Sequence, residues 1–249
     1  MRWIYLSPHL DDAILSCGGL IFEQTTMKIQ VEIWTICAGD PPYGELSSFA
    51  VSQHTKWGTV LDPYEVRRRE DIEACQMVGA RYRHFPFMDC IYRQSTDGQW
   101  LYPSEESIFG ELTLDDAVNI YTLRTFLLSI LKSDDHLVVP LTVGNHVDHQ
   151  LVRIAAEELD RPLLYYADAP YAITDPEKKS DITRNFMPLV YQFSKQSLAS
   201  WKKACQAYNS QIKVLFESKE KMFSMLDHYY HADEGLRLWG SDQRSNLLS

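Results

Sequence analysis

Two short segments hold most of the residues able to do hydrolytic chemistry. Ser7-Pro8-His9-Leu10-Asp11-Asp12 and Gly144-Asn145-His146-Val147-Asp148-His149 together supply three histidines and three aspartates. That mixture suits a divalent ion of the zinc type, which takes imidazole nitrogens and carboxylate oxygens. A catalytic site uses three protein ligands and keeps one position open for water. Two histidines and one carboxylate fill the set, and further groups remain. A remaining carboxylate can act as general base toward water held by the ion. A remaining histidine can stabilise a developing oxyanion. Asp148 can orient a histidine through the ring nitrogen used by neither ion nor substrate. The plainer reading assigns Asp11 and Asp12 to a helix start, where acids meet free N–H groups and the dipole. It makes His146-Val147-Asp148-His149 a helix cap with solvated histidines.

The two segments lie about 135 positions apart, so the fold must bring them together. Residues 3–6 form a short apolar run with aromatic and β-branched content, closed by Ser7-Pro8, and 13–24 read as a helix. Residues 31–37 and 136–141 are further β runs, and a helix follows from about 147 to 159. Residues 83–87, 163–167 and 189–193 are additional strand candidates. Helical patterns cover 64–79, 115–131, 196–208 and 211–229; in 115–131 the expected buried face is Ala117, Ile120, Tyr121, Leu127, Leu128 and Leu131. Residues 41–63 and 89–112 lack periodicity and read as the rim and lid of a pocket. Strands alternating with helices predict an α/β fold with a mostly parallel sheet covered on both faces. Each chemical segment follows a strand and opens a helix. In such a sheet all these turns emerge at the carboxyl edge, where ligands bind.

The chain has 249 residues, 45% hydrophobic and 23% charged, which is ordinary for a globular protein and excludes disordered, collagen-like and disulfide-scaffold classes. One domain over 1–249 is expected, with a motif-bearing core of about 1–170 and a C-terminal strand and helices in 171–249. The net charge of −10 argues against a nucleic-acid or anionic-membrane partner. Five cysteines without C-x-x-C spacing read as reduced core residues of a cytoplasmic protein. The N-terminus enters a strand-like run with no signal-peptide pattern, and no apolar run approaches the roughly 18 residues needed to span a bilayer.

Pro8-His9-Leu10-Asp11-Asp12, followed by Ser16-Cys17-Gly18-Gly19, resembles the signature of the PIG-L/LmbE-like zinc-dependent N-deacetylases, usually His-Pro-Asp-Asp-Glu. His146-Val147-Asp148-His149 resembles the family's His-x-Asp-His signature. Arg67-Arg68-Arg69-Glu70, with Ala74 and Gly79, is similar to its Arg-x-x-Glu-x-x-x-Ala helix. The resemblance spans roughly residues 1–170, and the last third carries no matching motif. It implies a Rossmann-like, three-layer α/β/α fold.

The resemblance further implies His9, Asp12 and His149 as metal ligands, Asp11 as the general base and His146, protonated, as the oxyanion stabiliser. Asp148 becomes the orienting acid between the histidines, and Arg67 a substrate-side arginine. The expected cofactor is Zn²⁺, with Fe²⁺ or another divalent ion also suited to nitrogen and oxygen ligands. The expected reaction is metal-dependent hydrolysis of the acetyl or other acyl amide of an N-acetylglucosamine-type sugar or conjugate. Family members often assemble, and the C-terminal helices offer an interface for a homo-oligomer. Two departures stand out: Leu10 replaces the usual proline and Ala13 the usual glutamate, and neither removes a ligand. Asp89, just beyond a predicted strand, is a candidate for a sugar hydroxyl or a turn cap, and Tyr43, Trp57, Tyr92, Trp100 and Tyr102 are candidates for stacking on a sugar ring. Competing readings are a non-catalytic metal-containing carbohydrate-binding protein, a hydrolase of another small acyl amide, a non-haem iron oxygenase and a metal-dependent phosphoesterase. Ligands on βα turns argue against the oxygenase. The intact Asp11 and His146 argue against the binding protein, since binding alone needs neither.

Overall fold

The computed structural model describes residues 1–58 and 62–240. Its strands are β1 (Trp3–Ser7), β2 (Val31–Thr35), β3 (Arg81–His84), β4 (His136–Pro140), β5 (Leu163–Tyr166), β6 (Met187–Tyr191) and β7 (Leu236–Gly240). They form a seven-stranded sheet in the order β3-β2-β1-β4-β5-β7-β6. The first five run parallel. β7 is antiparallel to both β5 and β6. Every residue of β1 and β2 is buried, so the sheet is covered on both faces. From β1 the chain builds outward through β2 to β3; from β4 it builds the other way to β5. The direction reverses between β1 and β4, and the crevice at their carboxyl ends is the topological switch point where open α/β sheets bind ligands. The two chemical segments leave the sheet there.

The helices are α1 (Asp12–Thr26), α2 (Ser48–Trp57), α3 (Pro63–Met77), α4 (Glu105–Ile108), α5 (Ala117–Ile130), α6 (Val147–Glu157), α7 (Tyr171–Thr174), α8 (Pro176–Thr183), α9 (Lys195–Cys205), α10 (Asn209–Phe216) and α11 (Lys219–Ala232). α9 packs closely on α1 because Gly18 and Gly19 present no side chain. A Cβ at Gly18 would lie 2.6 Å from the Trp201 ring, and one at Gly19 would lie 2.5 Å from Phe193. Trp201 Nε1 then donates to the Ile14 carbonyl at 2.7 Å. The motif-free last third is thereby fastened to the helix that carries Asp12.

Several expectations change. α2 forms within the stretch read as irregular, started by Ser47, whose side chain accepts the Ala50 N–H. The single helix expected over 211–229 is two, α10 and α11, because Glu217 takes φ 68° and Ser218 caps a new start through the Lys221 N–H. β7 was not anticipated. On α5 the fully buried residues are Leu123 and Leu127, whereas Tyr121 and Leu128 are 64% and 50% exposed and Ala117 is also exposed. Apolar residues occur on both sides of this helix, so periodicity alone cannot choose the side that meets the sheet. The choice is made by contacts such as Phe126 against Phe85, with ring centroids 5.0 Å apart. Residues 89–112 are only partly a rim. Cys90, Ile91, Tyr92, Tyr102 and Ile108 join Leu10, Ala38, Ala50, Tyr64 and Val147 in a second apolar cluster. All five cysteines are free and buried.

Candidate metal centre and catalytic pocket

At the start of α1 the capping work falls to Ser7, whose Oγ accepts the Ala13 N–H at 3.0 Å. Asp11 occupies the N-cap position but makes no side-chain cap bond. Its carboxylate is therefore free of the role that the plainer sequence reading gave it. Asp12, the first helical residue, turns back so that Oδ2 accepts the His9 N–H at 2.7 Å. At α6 the cap reading holds for one atom: His146 is the N-cap, and its Nδ1 accepts the Asp148 N–H at 3.2 Å. That bond needs an unprotonated Nδ1, so the ring's N–H is at Nε2. The ring is therefore neutral with its N–H at Nε2, whereas the resemblance implies a protonated His146.

The ligand-type atoms meet at one carboxylate oxygen. Asp12 Oδ2 lies 3.4 Å from His9 Nδ1 and 3.3 Å from His149 Nε2. Both separations exceed a good hydrogen bond. They match the edge of a tetrahedron whose centre is about 2.1 Å from each corner, about 3.4 Å, which is the spacing of nitrogen and oxygen ligands on zinc. The opposite ring nitrogens are held separately. His9 Nε2 is 2.9 Å from Asp148 Oδ2, and His149 Nδ1 is 2.5 Å from Asp168 Oδ1. Each histidine thus pairs one nitrogen with a buried carboxylate and turns the other toward Asp12, as metal-ligating histidines do. The donor set fits a divalent cation. His9, His146 and His149 also offer nitrogens that all lie within 4.8 Å of one another.

The buried acids and histidines of the site shift one another. Burial alone would lower the His149 imidazolium, but Asp12 and Asp168 outweigh it and raise its pKa to about 10. Burial would raise Asp12, yet His149 and His9 hold its carboxyl well below the usual range. Asp148 is likewise held low, against its burial, by Arg93 and His9. Asp11 behaves differently: burial, then the neighbouring Asp12 charge, push it up to about 7, with Arg67 and His9 opposing. His146 is pushed well below its ordinary value by burial and then by His9.

Above these groups opens a cavity of about 380 Å³. His9, Asp11, Asp12, His146 and His149 line its floor. Asp148 does not line it and is fully buried behind His9. Arg67, the substrate-side arginine that the resemblance implies, is 4% exposed. Its NH2 lies 3.7 Å from Asp11 Oδ2, its guanidinium sits 4.7 Å from the Trp57 ring centroid, and its buried Nε has no hydrogen-bond partner among the described residues. Asp89 takes the turn-cap role and also borders the cavity. It caps the short 3-10 turn Cys90–Tyr92 through the Ile91 N–H and accepts Tyr64 OH at 2.6 Å. Of the five aromatics considered for stacking, Trp57 lines the cavity. Tyr92 and Tyr102 are buried below it, Tyr43 points into solvent and Trp100 is half-buried elsewhere. Phe109 and Tyr171 form the wall instead. At the mouth, Lys56 of α2 and Glu105 of α4 pair at 3.4 Å, and α10 supplies Gln211, Val214 and Leu215.

Two residues with clear roles in this geometry escaped the sequence reading. Asp168 follows β5 at the same sheet edge as both motifs; its other oxygen accepts the Val143 N–H at 3.0 Å, so one carboxylate holds His149 and the loop before α6. Its place just past a predicted strand was the available signal. Arg93 donates from NH1 to Asp148 Oδ1 at 2.5 Å, from a stretch with no pattern to mark it.

The chain is similar to known proteins in sequence and in fold. Residues 4–159 match the family model described as PIG-L: GlcNAc-PI de-N-acetylase. A 2'-N-acetylparomamine deacetylase from Niallia circulans is 28% identical over 185 residues, covering 68% of this chain and 67% of that protein. Another from Streptomyces fradiae is 29% identical over 182 residues, covering 69% of this chain and 58% of its own length. The solved zinc inhibited form of teicoplanin deacetylase Orf2 superposes with a TM-score of 0.82 at 26% identity, over 99% of this chain and 100% of that one. A deacetylase-teicoplanin complex gives 0.80 at 25% identity, over 96% and 97%.

Proposed function

The chain belongs to the PIG-L family of GlcNAc-PI de-N-acetylases, and on that premise we propose that it hydrolyses the N-acetyl amide of an amino sugar or amino-sugar conjugate. The chain is a metal-dependent N-deacetylase with an α/β fold. The carrying observation is the convergence of His9 Nδ1 and His149 Nε2 on Asp12 Oδ2 at 3.4 and 3.3 Å, with Asp11 and His146 lining the same cavity. In this reading His9, Asp12 and His149 hold the ion, and zinc is the ion. When bound it supplies Lewis acidity toward water and toward the amide carbonyl.

The chain's own residues do the rest. Asp11, buried in the cavity floor and unused as a cap, accepts the proton of the attacking water and returns it to the leaving amine. His146 donates from Nε2 to the carbonyl oxygen as negative charge develops there. Asp148 and Asp168 keep His9 and His149 oriented. Arg67 braces Asp11 and, with an unpaired buried Nε, offers a donor to a substrate hydroxyl. Trp57, stacked on Arg67, provides a face for a sugar ring. Products are a carboxylic acid and a free amine. The whole chain acts as one domain in this reading, since β6 and β7 extend the same sheet. Burial of all five free cysteines supports a reducing, cytoplasmic setting. Among the described residues, no helix is long and apolar enough to cross a membrane.

Elemental analysis together with a fluorescent assay for amine release tests the reading, with N-acetylglucosamine and an N-acetylated aminoglycoside fragment as substrates. One equivalent of zinc, lost in His9→Ala, and amine release dependent on it are expected. Zinc should be added only to stoichiometry, because a similar deacetylase is known in a zinc inhibited form. A protein that binds no divalent ion after reconstitution, or a loaded protein that releases no amine from any N-acetylated sugar, would overturn it.

A further inference from the structure

Behind His9 lies a chain of buried groups that never touches the cavity. Arg93 follows the Cys90–Tyr92 turn and is 5% exposed. Its NH1 donates to Asp148 Oδ1 at 2.5 Å. Its Nε lies 3.0 Å from Asp116 Oδ1, an ion pair off the hydrogen-bond line. Asp116, fully buried just before α5, accepts Tyr102 OH on its other oxygen. The Arg93 guanidinium sits 5.2 Å from the Tyr102 ring centroid. The second oxygen of Asp148 accepts the Cys90 N–H at 3.0 Å and faces His9 Nε2 at 2.9 Å.

Resting on the metal reading above, we propose that Arg93 is a positioning residue for the metal centre, acting through Asp148 on His9. Arg93 holds Oδ1 from one side and the Cys90 N–H holds Oδ2 from another, so the carboxylate plane cannot turn. The remaining lone pair of Oδ2 meets His9 Nε2, which keeps its proton there and leaves Nδ1 facing Asp12. Asp116 and Tyr102 in turn fix Arg93. A guanidinium fork spans the two carboxylates, which a lysine's single ammonium does not. The stretch 89–112, read in sequence as a lid, thus supplies the brace under the site.

The test compares zinc affinity, by chelator competition, in the wild-type protein, Arg93→Lys and the double variant Arg93→Met/Asp116→Leu. The double variant removes the arginine without leaving Asp116 as an unpaired buried charge, and Arg93→Lys keeps the charge without the fork. The double variant should bind zinc about 10- to 100-fold more weakly, and Arg93→Lys should fall between. In zinc-loaded protein the ¹⁵N-resolved histidine spectrum should show the His9 Nε2–H of the wild type shifted or lost in the double variant. A purely structural Arg93 would change unfolding but leave affinity and this signal alone. Wild-type affinity in folded Arg93→Lys or in the double variant, with an unchanged His9 signal, overturns the proposal. A wild-type protein that binds no zinc instead overturns the metal reading itself.

Discussion

The two ends of the sheet both bury charge, and they do so in opposite ways. At the amino end, Arg2 forms a fork on Asp135, with Nε to Oδ1 at 2.8 Å and NH2 to Oδ2 at 3.0 Å, and reaches Glu32 from NH1 at 2.9 Å. The Trp34 indole and the Lys132 N–H complete the carboxylates at 2.8 and 2.7 Å. Every acid there has a close donor. At the carboxyl end, Asp11 and Asp12 stand side by side, and Asp12 faces two histidines at spacings too long for good hydrogen bonds. Arg67 NH2 stands 3.7 Å from Asp11 Oδ2, too far for a hydrogen bond. The acids of the amino end are satisfied by donors of the chain itself and serve the fold. The carboxyl end is arranged for groups that come from outside the chain, which is how a site differs from a stabilising network.

Substitutions can break this contrast. Asp11→Asn should lower amine release by about 10²- to 10⁴-fold while zinc content, by elemental analysis, stays at wild type. Full activity would remove Asp11 from the base role. Arg2→Met should do the reverse. It strands Asp135 and Glu32 and should cost about 3 kcal/mol in urea unfolding, with kcat unchanged. A drop in kcat at unchanged fold would show that the two ends are coupled. Asp168→Asn should weaken zinc binding about 10- to 100-fold, measured by chelator competition, because His149 loses the carboxylate behind it.

The smallest effect is a pH dependence of the amino end. Burial would raise Asp135, but its bonds from Arg2 and from the Lys132 N–H hold it below the usual carboxylate range. Between the folded and unfolded values the unfolded chain binds more protons. This contribution is therefore complete above about pH 4 and is lost as pH falls through the folded value. Urea midpoints followed downward from pH 5 should decline more steeply in wild type than in Arg2→Met. Equal slopes would mean that Arg2 does not set the Asp135 titration.

Legibility in the sequence followed local physics. β1, β2 and β4 were readable as apolar runs, and α1, α3 and α6 as helices beginning after them, within a few residues of their observed limits. α2 was not, since only Ala50 and His54 are buried along it and ten residues with two inward positions show no period. The break between α10 and α11 depends on one residue, Glu217, taking a left-handed conformation that glutamate seldom adopts. β7 pairs with β5 and β6 across more than 40 positions, a partnership that no local pattern announces.

What the sequence determined by itself was which residues stand at two turns. His9, Asp11, Asp12, His146, Asp148 and His149 sit where a strand ends and a helix begins, and a parallel sheet collects such turns at one edge. What only the tertiary structure decided was how those groups are held: Ser7 freeing Asp11 from the cap, Asp168 behind His149, Asp148 turned to His9, and Arg67 drawn into the pocket. The reason is physical. A residue's type and its place after a strand are local properties of the chain. A ring nitrogen's partner and a carboxylate's plane are set by contacts between segments 20 to 140 positions apart, which exist only once the sheet has formed.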